Sequence, residues 1–152
     1  MKIAIGCDEA AWQLKDTLKE HLVNQGHQVK DFGTHDGKPV LYPDIGIAVA
    51  EAVLNGEHER AVLLCGTGIG MAISANKVAG IRAAQAHDTY SAERASRSND
   101  AQIITLGARV VGPELAKAIV DRFVASSFDG GQSNEKVKAI QAYEQRSSGA
   151  GD

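Results

Sequence analysis

Arg60-Ala61-Val62-Leu63-Leu64-Cys65-Gly66-Thr67-Gly68-Ile69-Gly70 decides the fold of this chain. An apolar run without alternation ends at a cysteine, spaced glycines follow, and a helical pattern begins near Ile69. Uninterrupted apolar runs are what parallel strands covered on both faces require. The stretch reads as one strand–turn–helix unit of a parallel α/β sheet.

The same alternation continues in both directions. Apolar runs at 2–6, 27–32, 60–65, 81–86 and 101–106 predict strands. Between them, Ala11, Leu14, Leu18 and Leu22 mark one face of a helix over 10–25, with Gly26 where a C-terminal cap belongs. Pro43 fits the first turn of a helix to about Leu54, which Gly56 ends. Further helices are predicted at 69–78, 90–97 and 113–125, and a last one at about 134–146 follows Asp129-Gly130-Gly131. Five parallel strands with helices on both faces make a doubly wound, Rossmann-like α/β domain over residues 1–146. Residues 147–152 read as a disordered tail. Such sheets bind ligands at the carboxyl ends of their strands, where the strand order reverses. With an order of 2-1-3-4-5, that point lies between Gly6-Cys7-Asp8 and Cys65-Gly66-Thr67.

Composition narrows the classes. The 152 residues suit a single domain, with 43% hydrophobic and 23% charged residues. A formal net charge of −3 opposes a nucleic-acid surface, which needs a basic field. No apolar run is long enough for a membrane span. Met1-Lys2-Ile3-Ala4-Ile5-Gly6 reads as a first strand rather than a signal peptide. Two cysteines without export signals point to reduced thiols in the cytoplasm.

The glycine turn after Cys65 carries the chemistry. Glycines let the backbone aim several N–H groups at one spot, and a helix N-terminus adds partial positive charge there. Those amides would stabilise a substrate oxyanion and favour a Cys65 thiolate as base or nucleophile. The competing reading is a buried strand-end cysteine beside a tight turn. A dinucleotide fingerprint would need glycine where Met71 stands, and no Gly-Lys-Ser/Thr follows for a phosphate loop. Asp8 stands at the mouth of strand one, as a helix cap or a substrate contact. Asn99-Asp100 precede strand five, at its amino end, in a turn or a site. Arg109 and Lys136 either meet a phosphate or solvate the surface. The histidines lack ligand spacing, so no metal and no cofactor is expected.

Gly6-Cys7-Asp8, Cys65 to Gly70, Ala75-Asn76-Lys77-Val78-Ala79-Gly80-Ile81-Arg82-Ala83 and Gly107-Ala108-Arg109-Val110-Val111-Gly112 together resemble the type B ribose-5-phosphate isomerases. That family also contains the galactose-6-phosphate isomerase subunits. The resemblance runs in register from residue 2 to about 146. It implies a metal-free aldose–ketose isomerase working through a cis-enediolate, with Cys65 carrying the proton and Thr67 assisting. The amides of Gly66, Gly68, Ile69 and Gly70 would hold the enediolate oxygen. Asp8 and Asn99 would bind sugar hydroxyls, Tyr42 would line the pocket and Arg109 would reach the phosphate. It also implies a homodimer or tetramer whose sites draw residues from two subunits, bringing Asn99 and the phosphate-binding arm to a neighbour's pocket. One branch of the family uses a glutamate in the following helix as base; Met71 stands here, which leaves the role to Cys65.

The departures from that pattern bear on the substrate. Glu9 and Ser98 occupy positions where many members have histidine, and Gln132 and Lys136 stand near where phosphate-binding arginines are expected. Serine is a poor acid or base near neutral pH. Ribose 5-phosphate is mostly a closed furanose, whereas erythrose 4-phosphate, with O4 esterified, cannot close one. Loss of the ring-opening histidine therefore fits interconversion of erythrulose 4-phosphate and erythrose 4-phosphate. His87, after strand four, is the candidate ring-opener that would restore the ribose reading; otherwise it is a loop histidine. Two other classes stay open: a non-catalytic sugar-phosphate-binding or regulatory subunit, and a redox protein pairing Cys7 with Cys65.

Overall fold

The computed structural model describes residues 1–149. Strands β1 (Lys2–Cys7), β2 (Gln28–Asp31), β3 (Arg60–Cys65), β4 (Ala83–Gln85) and β5 (Ile103–Gly107) alternate with helices α1 (Trp12–Asn24), α2 (Tyr42–Leu54), α3 (Ile69–Asn76), α4 (Thr89–Asn99) and α5 (Pro113–Ala125). Helix α6 (Ser133–Gly149) ends the described chain. All strand pairs are parallel, as the apolar runs predict.

Successive residues of a strand point to opposite faces, so each central strand feeds two core layers. Ile3, Ile5, Val62 and Ile104 pack with α1, α4 and α5. Ala4, Leu63, Cys65 and Ile103 pack with α2 and α3. On α1, Leu14, Leu18 and Leu22 are buried as their spacing predicts. Burying Leu18, Leu22 or Phe123 contributes about 1.5–3 kcal/mol each. Gly26 follows α1 at φ +93° and Gly56 follows α2 at φ +80°, both left-handed closing positions that disfavour a side chain.

The strand order is β2-β1-β3-β5-β4, not the expected 2-1-3-4-5. Strands β1 and β3 are neighbours as expected, but β5 occupies the inner position and β4 the edge. Burial explains the exchange. Every residue of β5 is buried, whereas β4 has three residues, none of them buried, which suits an edge. The order sets Gly107, at the end of β5, directly opposite Cys65.

Helix α6 runs to Gly149, three residues past the expected domain end, and residues 150–152 of the expected tail lie outside the described residues. No described helix is long and apolar enough to cross a membrane.

Lys15 is a charge inside the core that the sequence reading missed. Its side chain is 0% exposed, and Nζ lies 3.0 and 2.9 Å from the two Asp31 oxygens. Nζ also donates to the Thr34 carbonyl at 2.7 Å, fastening the loop after β2 onto α1. Burial would raise the Asp31 carboxyl, but the Lys15 hydrogen bond and charge and the Gly33 N–H outweigh it and hold it below its ordinary value.

Candidate active site

The site begins where β3 ends. Cys65 is 4% exposed, and its Sγ accepts a hydrogen bond from the Gly68 N–H at 3.1 Å. Gly68 sits at φ +79°, a left-handed turn that folds the chain back over the sulfur. One residue on, the Ile69 N–H donates to Thr67 Oγ1 at 3.2 Å, leaving the Thr67 hydroxyl its own proton to give. The carbonyls on the other side of these peptides are held as well. Gln85 Nε2 donates to Thr67 O at 2.8 Å, and buried Thr105 Oγ1 donates to Gly68 O at 2.8 Å. Helix α3 then starts at Ile69, adding the partial positive charge of its N-terminus. The turn thus points backbone N–H groups toward Cys65 and Thr67, the geometry of an anion-binding nest.

Neighbouring strand ends supply the rim. Asp8 N–H pairs with Leu64 O at 3.1 Å, which sets Asp8 beside Cys65. Its Oδ1 accepts from the Ala10 N–H at 3.0 Å rather than capping α1, whose first turn receives no side-chain cap. Burial raises the Asp8 carboxyl above its ordinary value, with the Ala10 N–H opposing that, Glu9 adding to it and Arg109 opposing it. Glu9 Oε2 accepts from the Val40 N–H at 3.3 Å and so ties down the loop between β2 and α2. At the end of that loop, Tyr42 covers Gly70 so closely that a Cβ there would stand 2.6 Å from Oη. Arg109 bonds the Gly66 carbonyl through its N–H at 3.1 Å, and its side chain lies along Gly66. The new neighbour β5 thus delivers Arg109 to the first glycine of the nest.

His87 occupies the same edge, but with one nitrogen committed. The Gly107 N–H donates to its Nε2 at 2.9 Å. A backbone N–H only donates, so Nε2 is unprotonated and the ring proton rests on Nδ1. In this arrangement Nε2 is not free to open a sugar ring.

Four residues of the sequence reading lie elsewhere. Ser98 and Asn99 end α4, where the Asn99 carbonyl accepts from Arg82 Nε at 3.0 Å. Arg82 immediately precedes β4, so Asn99 stands at the amino end of the sheet, about 16 Å from Cys65 along the strand direction alone at ordinary strand rise. The Ser98 hydroxyl oxygen accepts from Arg94 Nε at 2.9 Å and from the same guanidinium's terminal nitrogen. Gln132 immediately precedes α6 and Lys136 lies in its first turn; both are exposed, and α6 packs on α4. Within one chain these four do not meet the nest.

Cys7 is a different kind of cysteine. Burial pushes its thiol up to about 12 despite the nearby Lys15 charge. Its side chain joins the α1 layer whereas Cys65 joins the α2–α3 layer, so the sheet separates the two. The redox pairing of Cys7 with Cys65 is thereby excluded on geometry.

The sequence and the fold both match a known class of protein. Residues 3–140 match the family described as Ribose/Galactose Isomerase, and the chain belongs to it. It is a sugar-phosphate isomerase of the type B ribose-5-phosphate isomerase kind. The chain is 52% identical to the "Ribose-5-P isomerase B" of Listeria innocua, over 96% of this chain and 99% of that one. It is 53% identical to the "D-erythrulose-4-phosphate isomerase" of Pectobacterium atrosepticum, over 95% of each. The solved ribose-5-phosphate isomerase B of Clostridium thermocellum superposes with a TM-score of 0.94 at 46% identity, covering 96% of this chain and 99% of that one.

Proposed function

We propose that this chain interconverts the aldose and ketose forms of a phosphorylated sugar through a cis-enediolate, with Cys65 as proton carrier. The Cys65 thiolate takes the proton from C2 of the aldose. Negative charge then gathers on the C1 oxygen, within reach of the amides of Gly66 and Gly70. The Gly68 and Ile69 amides, bonded to Cys65 Sγ and Thr67 Oγ1 before substrate binds, turn toward it as charge develops. Sulfur returns the proton to C1, while the C2 hydroxyl proton passes to the C1 oxygen with Thr67 Oγ1 assisting. No net oxidation occurs, since C1 is reduced as C2 is oxidised. Asp8 binds a sugar hydroxyl, Tyr42 closes the pocket and Arg109 pairs with the phosphate. The observation that carries this reading is the Gly68 N–H on Cys65 Sγ at 3.1 Å, inside a nest rimmed by Asp8 and Arg109.

The substrate is the open-chain pair erythrose 4-phosphate and erythrulose 4-phosphate, with ribose 5-phosphate as the second reading. Overall identity does not separate them, since the chain stands at 52% and 53% to relatives bearing each name. Residues favour the tetrose: Ser98 holds Arg94, and His87 Nε2 is engaged by Gly107. The working unit is a homodimer or tetramer in the cytoplasm, in which Asn99, Gln132 and Lys136 of one copy complete the nest of another.

Proton NMR in deuterated buffer tests both levels, with each sugar phosphate supplied separately. Fast conversion of erythrose 4-phosphate with deuterium incorporation, slow conversion of ribose 5-phosphate, and loss of both in Cys65→Ala are expected. General acid–base catalysis makes that loss about 10²- to 10⁴-fold. Efficient ribose turnover overturns the tetrose assignment, and an active Cys65→Ala overturns the cysteine mechanism. If Cys65→Ala still gains thermal stability from the sugar phosphate while the parent shows no turnover, the chain is a binding subunit.

A further inference from the structure

We infer that Gln85, on edge strand β4, is a positioning residue that aims the Gly68 N–H at Cys65. One rigid peptide unit links Gln85 to the sulfur. In a trans peptide the carbonyl and the N–H point in opposite directions within a plane, so fixing one end fixes the other. The Thr67 carbonyl and the Gly68 N–H belong to the same unit. Gln85 Nε2 holds the carbonyl at 2.8 Å, and the N–H reaches Cys65 Sγ at 3.1 Å. Gln85 touches neither sulfur nor nest amide, yet it sets the plane that joins them.

This plane needs such an anchor more than its neighbour does. The next unit, Gly68 carbonyl to Ile69 N–H, is held by buried Thr105 at 2.8 Å and by the α3 bond from Ala72 N–H at 3.1 Å. The Thr67–Gly68 unit precedes the helix and has no helical bond to fix it. Gly68, at φ +79°, has wide rotational freedom on one side of the plane. A Gln85 without its amide donor would let the plane turn and the N–H drift from the sulfur.

The inference rests on the Cys65 reading above for its effect on turnover, but its direct readout does not. Gln85→Leu keeps the side-chain bulk and removes the donor; Gln85→Glu keeps the shape and replaces the donor with an acceptor at neutral pH. Two measurements are made on the full chain with each variant: the iodoacetamide alkylation rate of Cys65, and hydrogen exchange of the Gly68 amide. Loss of one hydrogen bond of ordinary strength predicts a change of about 3- to 10-fold, with Gly68 exchanging faster and Cys65 alkylating more slowly. With sugar phosphate, kcat falls by a similar factor while KM stays near the parent value, because the phosphate and hydroxyl contacts are untouched. Parent-like alkylation and exchange in both variants overturn the inference, whatever Cys65→Ala does. Altered alkylation and exchange in a series where Cys65→Ala remains active would uphold the positioning and refute the cysteine mechanism instead.

Discussion

Gly107→Ala tests whether the nest must keep its shape to work. Gly107 ends β5 opposite Cys65, and a Cβ placed there would stand 2.7 Å from both Cα and the carbonyl carbon of Thr67. It would also lie 2.9 Å from the Gly66 carbonyl oxygen. These neighbours are backbone, so no side chain can rotate away. Reaching ordinary contact requires the Cys65–Gly68 turn or the β5 end to retreat by about 0.7 Å. Overpacking of this kind costs about 1–3 kcal/mol, which for a chain of this length lowers Tm by roughly 2–10 °C. The effect on turnover is larger than on stability, because a shift approaching 1 Å at the reacting groups costs up to about 10²-fold. Urea unfolding and steady-state kinetics on the same preparation measure both. Gly37→Ala is the control: its added Cβ meets only Trp12 Nε1, at 3.6 Å, so stability and turnover stay near the parent values. A Gly107→Ala protein with turnover within twofold of the parent would refute the claim that nest geometry limits the reaction.

Lys15→Met removes the buried partner of Asp31 and leaves that charge with the more exposed Lys19 at 3.4 Å and the Gly33 N–H, for an expected loss of about 1–3 kcal/mol in urea unfolding. Because the Asp31 carboxyl is held low in the folded chain, its contribution is present above its unfolded value, about 3.9. It is lost as pH falls through the lower folded value, so Asp31→Asn flattens the acid limb of stability against pH. An unchanged acid limb would assign it to other carboxylates. Alkylation of the native chain near neutral pH modifies Cys65 and spares Cys7, whose thiol is pushed up to about 12, as peptide mass spectrometry will reveal. Equal labelling of both cysteines would show that the core around Cys7 opens readily.

The elements were legible because local rules and the global fold agree at them. Gly26 and Gly56 end helices in left-handed turns, and the face made by Leu14, Leu18 and Leu22 is buried as its period requires. The exchange of β4 and β5 was not legible, since strand order depends on pairing between segments far apart in sequence. The weakness of Ala83–Gln85 as a central strand was the available signal. Lys15 follows Leu14 on the buried face of α1, and Thr105 interrupts an otherwise apolar strand; each is a polar residue at a core position that called for a partner. Gln85 gave no such signal, because its partner is a backbone carbonyl fixed only once the turn after Cys65 has folded.

The two departures with most weight for substrate choice are not idle surface changes. Glu9 binds the Val40 N–H and so bears on the loop that delivers Tyr42 to Gly70. Ser98 accepts two hydrogen bonds from the Arg94 guanidinium, one turn earlier on α4. A histidine at either position would have to displace an existing hydrogen bond as well as supply a ring nitrogen. At Glu9 that frees the Val40 N–H, and at Ser98 it leaves the Arg94 guanidinium, among the described residues, with only Glu93, 3.9 Å away. Installing a histidine at either position therefore changes the local hydrogen bonding as well as one side chain. An open-chain tetrose phosphate needs neither histidine. Under the proposed tetrose reading these substitutions carry no catalytic cost, while Cys65, Thr67 and the glycine turn between them and α3 remain in place.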